Sequence, residues 1–219
     1  VTVKPRFTEL SEPNPGGRFE TNPGYPYDVL GYSAALSYQM ADEILGLLRT
    51  LPPPDVIESQ EFVGVPYFLL QRKLTQPTAL EGIPILVHLH SPAFELSRLN
   101  REPRYRFPFH WVGEMERFCI VAADALLSPS RFLAQSVTRT LRRELDIAII
   151  PHPVPASDAP VSSEREPRHL VCVGRLQTVK GVLPLVHACH RLWERGERFR
   201  LTMVGGDAPY APGNTTLGT

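Results

Sequence analysis

The sequence has no charge surplus and few cysteines, and each shortage removes a class of function. Lysine plus arginine number 23 and aspartate plus glutamate 23. No net field therefore draws the chain onto nucleic acid or an anionic membrane, and any anion recognition must be local. Peripheral membrane contact and oligomeric state stay open. The three cysteines, Cys119, Cys172 and Cys189, are odd in number and widely spaced, and two lie in apolar runs. That argues against a disulfide framework and a zinc site, and for reduced thiols in a cytoplasmic protein. No apolar run nears the ~20 residues that span a bilayer, and the first thirty residues lack a signal peptide's apolar centre. The chain starts at Val1 without a methionine, so it reads as an excised or incomplete piece.

Proline, in contrast, is plentiful. The 23 prolines cluster at residues 5–26, 52–54 and 151–167, where they exclude helix interiors and central strands. The first cluster predicts a long irregular loop after a short strand at Val1–Val3. Apolar residues at helical spacing predict a helix over Tyr32–Arg49, ended by Leu51-Pro-Pro-Pro. Strands and helices then alternate: strand Asp55–Glu58, helix Val63–Lys73, strand Ile83–His90, helix His110–Ala123, strand Ala125–Ser128, helix Arg131–Leu141, strand Ile147–Pro151. Alternation with near-continuous apolar strands predicts an α/β fold, a parallel sheet covered by helices. We place a first domain at 1–154, a polar, proline-bearing linker at 155–167 and the start of a second domain at 168–219. The last holds one βαβ unit: His169–Val173, Val182–Arg195 and Phe199–Val204. One such unit cannot bury two sheet faces, so the second domain is expected to be incomplete.

The most informative segment is RHLVCVGRLQTVKGVLPLV, residues 168–186. It reads as a buried strand, a tight turn at Gly174 carrying Arg175 and Lys180, and a helix starting after Gly181. Two cations beside a helix N-terminus suit a diphosphate, because free N–H groups and the helix dipole favour anions. Solvated loop cations are the plainer alternative. His90 and His88, two apart on one strand, share a face at its C-terminal end, where open parallel sheets line their ligand crevice. Ser128 reads as a helix N-cap with Pro129 at N1, and Ser130 as a minor cleft residue. His187 and His190, one turn apart, lack a third ligand and read as helix-surface or packing residues. Glu114 and Glu116 read as solvent-facing charges.

Five segments in order, ILVHLHSP (85–92), ADALLSPSRFLAQ (123–135), IIPHPVP (149–155), VGRLQTVKGVLPLV (173–186) and LTMVGGDAP (201–209), resemble glycosyltransferase family 4. These are retaining enzymes with two Rossmann-like domains (GT-B). The resemblance implies a Rossmann-like N-terminal acceptor domain and a donor domain opening at residue 168. It implies transfer of a sugar from a nucleotide-diphosphate sugar to an acceptor hydroxyl, with no cofactor and no metal. Arg175 and Lys180, with Gly174 and Gly181, would bind the diphosphate. His90 would contact the donor sugar, and Gly205-Gly206 would approach the donor closely. The acceptor site would draw on residues 5–26 and the stretch Arg98–Trp111, which reads equally as a surface loop. The family's first strand and glycine loop are not evident, unless Gly16-Gly17 is an unusual version. Its two donor-binding glutamates, seven apart, would fall beyond Thr219, so the piece alone is expected to lack turnover. A nucleotide-sugar epimerase of the same plan and a non-catalytic α/β module are the other readings.

Overall fold

A computed structural model describes residues 27–76, 79–103, 105, 108–155, 166–207, 209–210 and 215–216. The expected strand at Val1–Val3, the loop at 5–26, Gly16-Gly17 and residues 156–165 of the linker lie outside these. The chain groups into two compact units, one of Val1–Glu95 with Tyr105–His152 and one of Leu96–Arg104 with Pro153–Thr219.

The first unit is built on a four-stranded parallel sheet, β1 (Ile57–Gln60), β2 (Ile85–His88), β3 (Ala125–Ser128) and β4 (Ile147–Ile149), in the order β1-β2-β3-β4. The register pairs Ile57 with Ile85, Leu86 with Ala125 and Leu126 with Ile147. Alternation on β2 buries Ile85 and Val87 completely, and these join Leu69, Leu70, Leu80, Cys119, Ile120 and Val137 in one core. Burying such side chains is worth roughly 1.5–3 kcal/mol each.

Helices α1 (Tyr27–Leu48), α2 (Tyr67–Thr75), α3 (Ala93–Leu99), α4 (Phe109–Ala122) and α5 (Arg131–Leu141) complete the unit's main elements, although α3 runs past Glu95 into the second unit's residues. The regular part of α1 begins after Gly31, whose φ of 74° breaks the helix, close to the expected start at Tyr32. Edge-to-face rings join three helices: Tyr38 to Phe68 at 5.5 Å, Tyr67 to Phe68 at 5.1 Å and Tyr67 to Phe118 at 5.0 Å.

In the first unit two expected elements shift and one helix is new. The expected helix Val63–Lys73 is two pieces, a 3-10 turn at Phe62–Gly64 and then α2. Val63 and Gly64 have φ of 52° and 68°, outside any right-handed helix, and Pro66 fits only the edge of α2 because it has no N–H. Strand β1 lies two residues later than Asp55–Glu58. Helix α3, AFELSRL, spans only seven residues, too few for a helical period to show in the sequence.

Lys73 clamps the N-terminal ends of β2 and β3. Its Nζ donates to the Ile83 carbonyl at 2.7 Å and to Asp124 Oδ2 at 2.6 Å, and the same Oδ2 accepts the Ile85 N–H at 2.7 Å. Burial would raise the Asp124 carboxyl, but Lys73 and the Ile85 N–H outweigh it and hold it below its ordinary value. Lys73→Met is expected to cost about 1–2 kcal/mol of first-unit stability, read as a lower urea midpoint.

In the second unit, β5 (His169–Val173) and β6 (Arg200–Val204) pair in parallel with His169 opposite Arg200, joined through α6 (Val182–Glu194). A short antiparallel pair, β7 (Pro209–Tyr210) and β8 (Thr215–Thr216), went unnoticed in the sequence. Trp193 stacks on Phe199 at 5.2 Å and donates to its carbonyl at 3.1 Å. The expectation that His169–Val173 is buried fails: Val173 is 78% exposed, and Leu170 and Val171 are also exposed. Apolar composition calls for burial, but among the described residues only β6 pairs with β5.

Candidate functional site

In the first unit the C-terminal ends of the parallel strands bring polar groups together. His88 closes β2 and His90 follows two residues later, and the loop after β4 adds His152. The three rings stand 4.8 Å (His88 to His90), 5.6 Å (His88 to His152) and 5.9 Å (His90 to His152) apart. Period-two alternation places His88 and His90 together as expected. The roles differ: His90 and His152 are exposed, whereas His88 is half-buried with a buried Nε2 that has no hydrogen-bond partner among the described residues. Burial, together with His90 and His152, holds the His88 pKa below 6.5, against the pull of Glu58. Among the described residues no group of three histidines, cysteines or acids is arranged to hold a metal ion.

Beneath the histidines lie two fully buried carboxylates. Glu61, directly after β1, accepts the His90 N–H at 2.8 Å on both oxygens and the Ser91 N–H at 2.8 Å. Burial raises its pKa above 4.5, although these N–H groups and the nearby His90 ring favour the charge. Glu116, on α4, accepts the N–H groups of Val63 at 3.0 Å and of Ala93. Burial and then the charge of Glu61 push it up to about 8, against the pull of its N–H donors. The expectation of a solvent-facing Glu116 is therefore wrong, while Glu114 is half-exposed and pairs with Arg117 at 3.2 Å. The two glutamates tie the loops after β1 and β2 to the core by satisfying backbone donors that would otherwise be buried unpaired.

The serines also change places. The N-cap of α5 is Ser130, whose Oγ accepts the Leu133 N–H at 3.2 Å. Ser128 is buried and donates to the Ser130 carbonyl at 2.9 Å. Because β3 ends at Ser128 itself, the cap falls two residues later. An apolar hollow of about 440 Å³ between α1 and β1, lined by Met40, Ile44, Leu48, Ile57 and Leu69, contains none of these polar groups.

In the second unit the turn after β5 is pinned to the turn after β6. The Gly174 N–H donates to the Val204 carbonyl at 2.9 Å and the Leu176 N–H to the Gly206 carbonyl at 3.0 Å. Gly205 has φ of 158°, and a Cβ there would lie 1.9 Å from the Gly174 oxygen, so this close approach requires glycine. A 3-10 turn at Thr178–Lys180 then leads into Gly181, whose φ of 75° swings the chain into α6. Asn100 Oδ1, unnoticed in the sequence, accepts the Val179 N–H at 3.1 Å and steadies this turn. Arg175 and Lys180 are exposed, with no side-chain hydrogen bond or ion pair among the described residues. Of the surface and packing readings for His187 and His190, the surface one holds: both are exposed on α6, and His190 pairs with Glu194 at 3.3 Å.

The family model described as Glycosyltransferase Family 4 matches residues 6–158. The chain belongs to glycosyltransferase family 4. No curated protein matches it. The match covers most of the chain and contains the three histidines and both buried glutamates, whereas Arg175, Lys180 and the glycine turns lie after it. The mixed α/β architecture with a parallel, Rossmann-like sheet is what family membership predicts. No helix among the described residues is long and apolar enough to cross a membrane. Membership of the family implies a sugar donor and an acceptor as substrates.

Glu61 and Glu116 are the residues that sequence reasoning missed in this site. For Glu61 a signal existed: it is the first charged residue after a strand's C-terminal end, where functional groups of parallel sheets gather. For Glu116 there was none, because a glutamate amid helical apolar residues looks the same whether its side chain meets solvent or buried N–H groups.

Proposed function

We propose that this family 4 protein is a cytoplasmic retaining glycosyltransferase that takes its sugar from a nucleoside-diphosphate sugar and delivers it to an acceptor hydroxyl. The domain division of the proposal follows the sequence: an acceptor-side domain over 1–154, a linker over 155–167 and a donor-side domain from 168. Arg175 and Lys180 hold the diphosphate, with the glycines at 174, 181, 205 and 206 letting backbone approach it, and His90 contacts the donor sugar.

The observation that carries this reading is the pair of exposed cations, without a side-chain partner among the described residues, on a turn whose backbone is pinned on one side by Gly205-Gly206 and runs on the other into the N-terminus of α6. Breaking the glycosidic bond builds negative charge on the leaving phosphate. Cations already in place stabilise that state more than the ground state. A guanidinium fork spans two phosphate oxygens, while the ammonium acts as a point charge.

Thermal shift with UDP and GDP tests the proposal. Arg175→Ala is expected to weaken binding about 10- to 100-fold, the loss of a charge-assisted pair. Absence of any shift in the parent chain would favour a non-catalytic module and end the proposal. Incubation with UDP- and GDP-sugars is expected to show binding without turnover by this 219-residue chain. Conversion of the sugar with no acceptor present would instead identify an epimerase.

A further inference from the structure

We infer that Glu61 is a positioning residue for His90: it holds the His90 backbone and keeps the neutral ring protonated on Nδ1, so that Nε2 faces outward as a hydrogen-bond acceptor. The inference deepens, and rests on, the reading of His90 as the sugar contact.

Glu61 is fully buried, yet it is not there as an ion pair between side chains. Both its oxygens lie 2.8 Å from the His90 N–H and one also accepts the Ser91 N–H, so the carboxylate takes up two backbone donors where the chain leaves the sheet. The position of the His90 Cα thus depends on a group anchored after the neighbouring strand β1.

The ring follows from the backbone. His90 Nδ1 lies 3.2 Å from the His88 carbonyl oxygen, and a carbonyl only accepts, so Nδ1 must carry the proton. Glu61 Oε2, 3.8 Å from the same nitrogen, is too far for a hydrogen bond but adds negative charge on the side where the proton sits. In a neutral imidazole the other nitrogen then has the free lone pair. With the His90 side chain 39% exposed, a sugar hydroxyl would meet an acceptor and not a donor. The adjacent rings of His88 and His152 limit how far this ring can turn away.

Glutamine at position 61 has nearly the shape of glutamate but one oxygen instead of two. Because both oxygens of Glu61 lie 2.8 Å from the His90 N–H, the NH₂ group meets that N–H whichever way the amide is turned, and donor facing donor is repulsive. Relief moves the His90 backbone and with it the Nδ1–His88 carbonyl contact that fixes the tautomer. Aspartate keeps two acceptor oxygens.

Long-range proton–nitrogen NMR of the imidazoles in the full 219-residue chain reads the tautomer directly. Neutral His90 is expected as the Nδ1–H form in the parent chain and in Glu61→Asp, and Glu61→Gln is expected to lose that signature while melting as a folded protein. An Nε2–H form in the parent chain would overturn the inference, as would a folded Glu61→Gln that keeps the Nδ1–H form. If Glu61→Gln does not fold, the parent chain and Glu61→Asp decide: loss of the Nδ1–H form in either overturns it. The sugar-contact reading is tested separately by the thermal shift of His90→Ala with UDP- and GDP-sugars. Unchanged shifts there would remove the sugar contact and leave the tautomer result standing.

Discussion

Raising the pH from 4.5 to 8 is expected to destabilise the first unit, and Glu116→Gln is expected to remove most of that loss. The Glu116 carboxyl is 0% exposed and titrates at about 8 in the folded chain, against 4.5 as its ordinary value. Its folded pKa is raised, so the folded state holds this proton more tightly than the unfolded state. Stability from this group is complete below pH 4.5 and falls as pH rises through about 8. At about 1.36 kcal/mol per pH unit the ceiling is about 5 kcal/mol, and a loss of a few kcal/mol is expected. Glu61 is raised in the same direction by burial, while His88, held below 6.5, gains stability as pH rises and works against it, so the variant is expected to keep only a small residual pH dependence.

Glutamine cannot ionise, but its NH₂ opposes one of the Val63 and Ala93 donors. That clash costs about 1–3 kcal/mol at every pH. The variant is therefore expected to be less stable than the parent at pH 5 and equal or more stable at pH 9. Urea unfolding read by Trp111 on α4, in a Trp193→Phe background, follows this unit. Parallel pH profiles for parent and variant would show that Glu116 is not the group responsible.

Gly205→Ala is expected to unfold or severely destabilise the second unit, while Gly206→Ala leaves it nearly intact. A methyl at position 205 would sit 1.9 Å from the Gly174 oxygen and 2.6 Å from its carbonyl carbon, both backbone atoms, so no side-chain rotation can make room. The φ of 158° is a second penalty. Relief requires separating the two turns and losing the Gly174–Val204 and Leu176–Gly206 hydrogen bonds. The expected cost exceeds about 3 kcal/mol, or a fall of more than about 10 °C in the melting temperature of a unit this size.

At Gly206 nothing lies within 4 Å of the added carbon, and a change within about 1 kcal/mol is expected. Trp193 fluorescence follows the second unit. Gly205→Ala should also lose the UDP-induced shift, since the turn that carries Arg175 is built against it. A Gly205→Ala protein that melts like the parent would refute the close approach of the two turns.

These two outcomes also separate what is legible in a sequence from what is not. Strand–helix alternation, the ends of β3, α5 and β5 and the turn glycines all follow from periodicity and local turn chemistry. Such features depend on a few neighbouring residues, so the sequence carries them directly. The pairing of His88 with His90 is likewise a consequence of the two-residue period of a strand. The break in the helix expected at Val63–Lys73 was less legible, because it depends on positive φ at Val63 and on the close packing of Gly64 against Met115, whose Cβ would lie 2.8 Å from an added methyl.

By itself, then, the sequence determined the α/β class and the family, and it supplied Arg175, Lys180 and His90 as the residues proposed here for the donor. Only the tertiary structure decided that Glu61 and Glu116 are buried anchors of the loops around His90, that Ser130 rather than Ser128 caps α5, and that β5 is exposed. The reason is physical. Burial and hydrogen bonding of a carboxylate are set by backbone donors 23 to 53 positions away, and the exposure of a strand by what pairs with it, and neither is written in the residue's own neighbourhood.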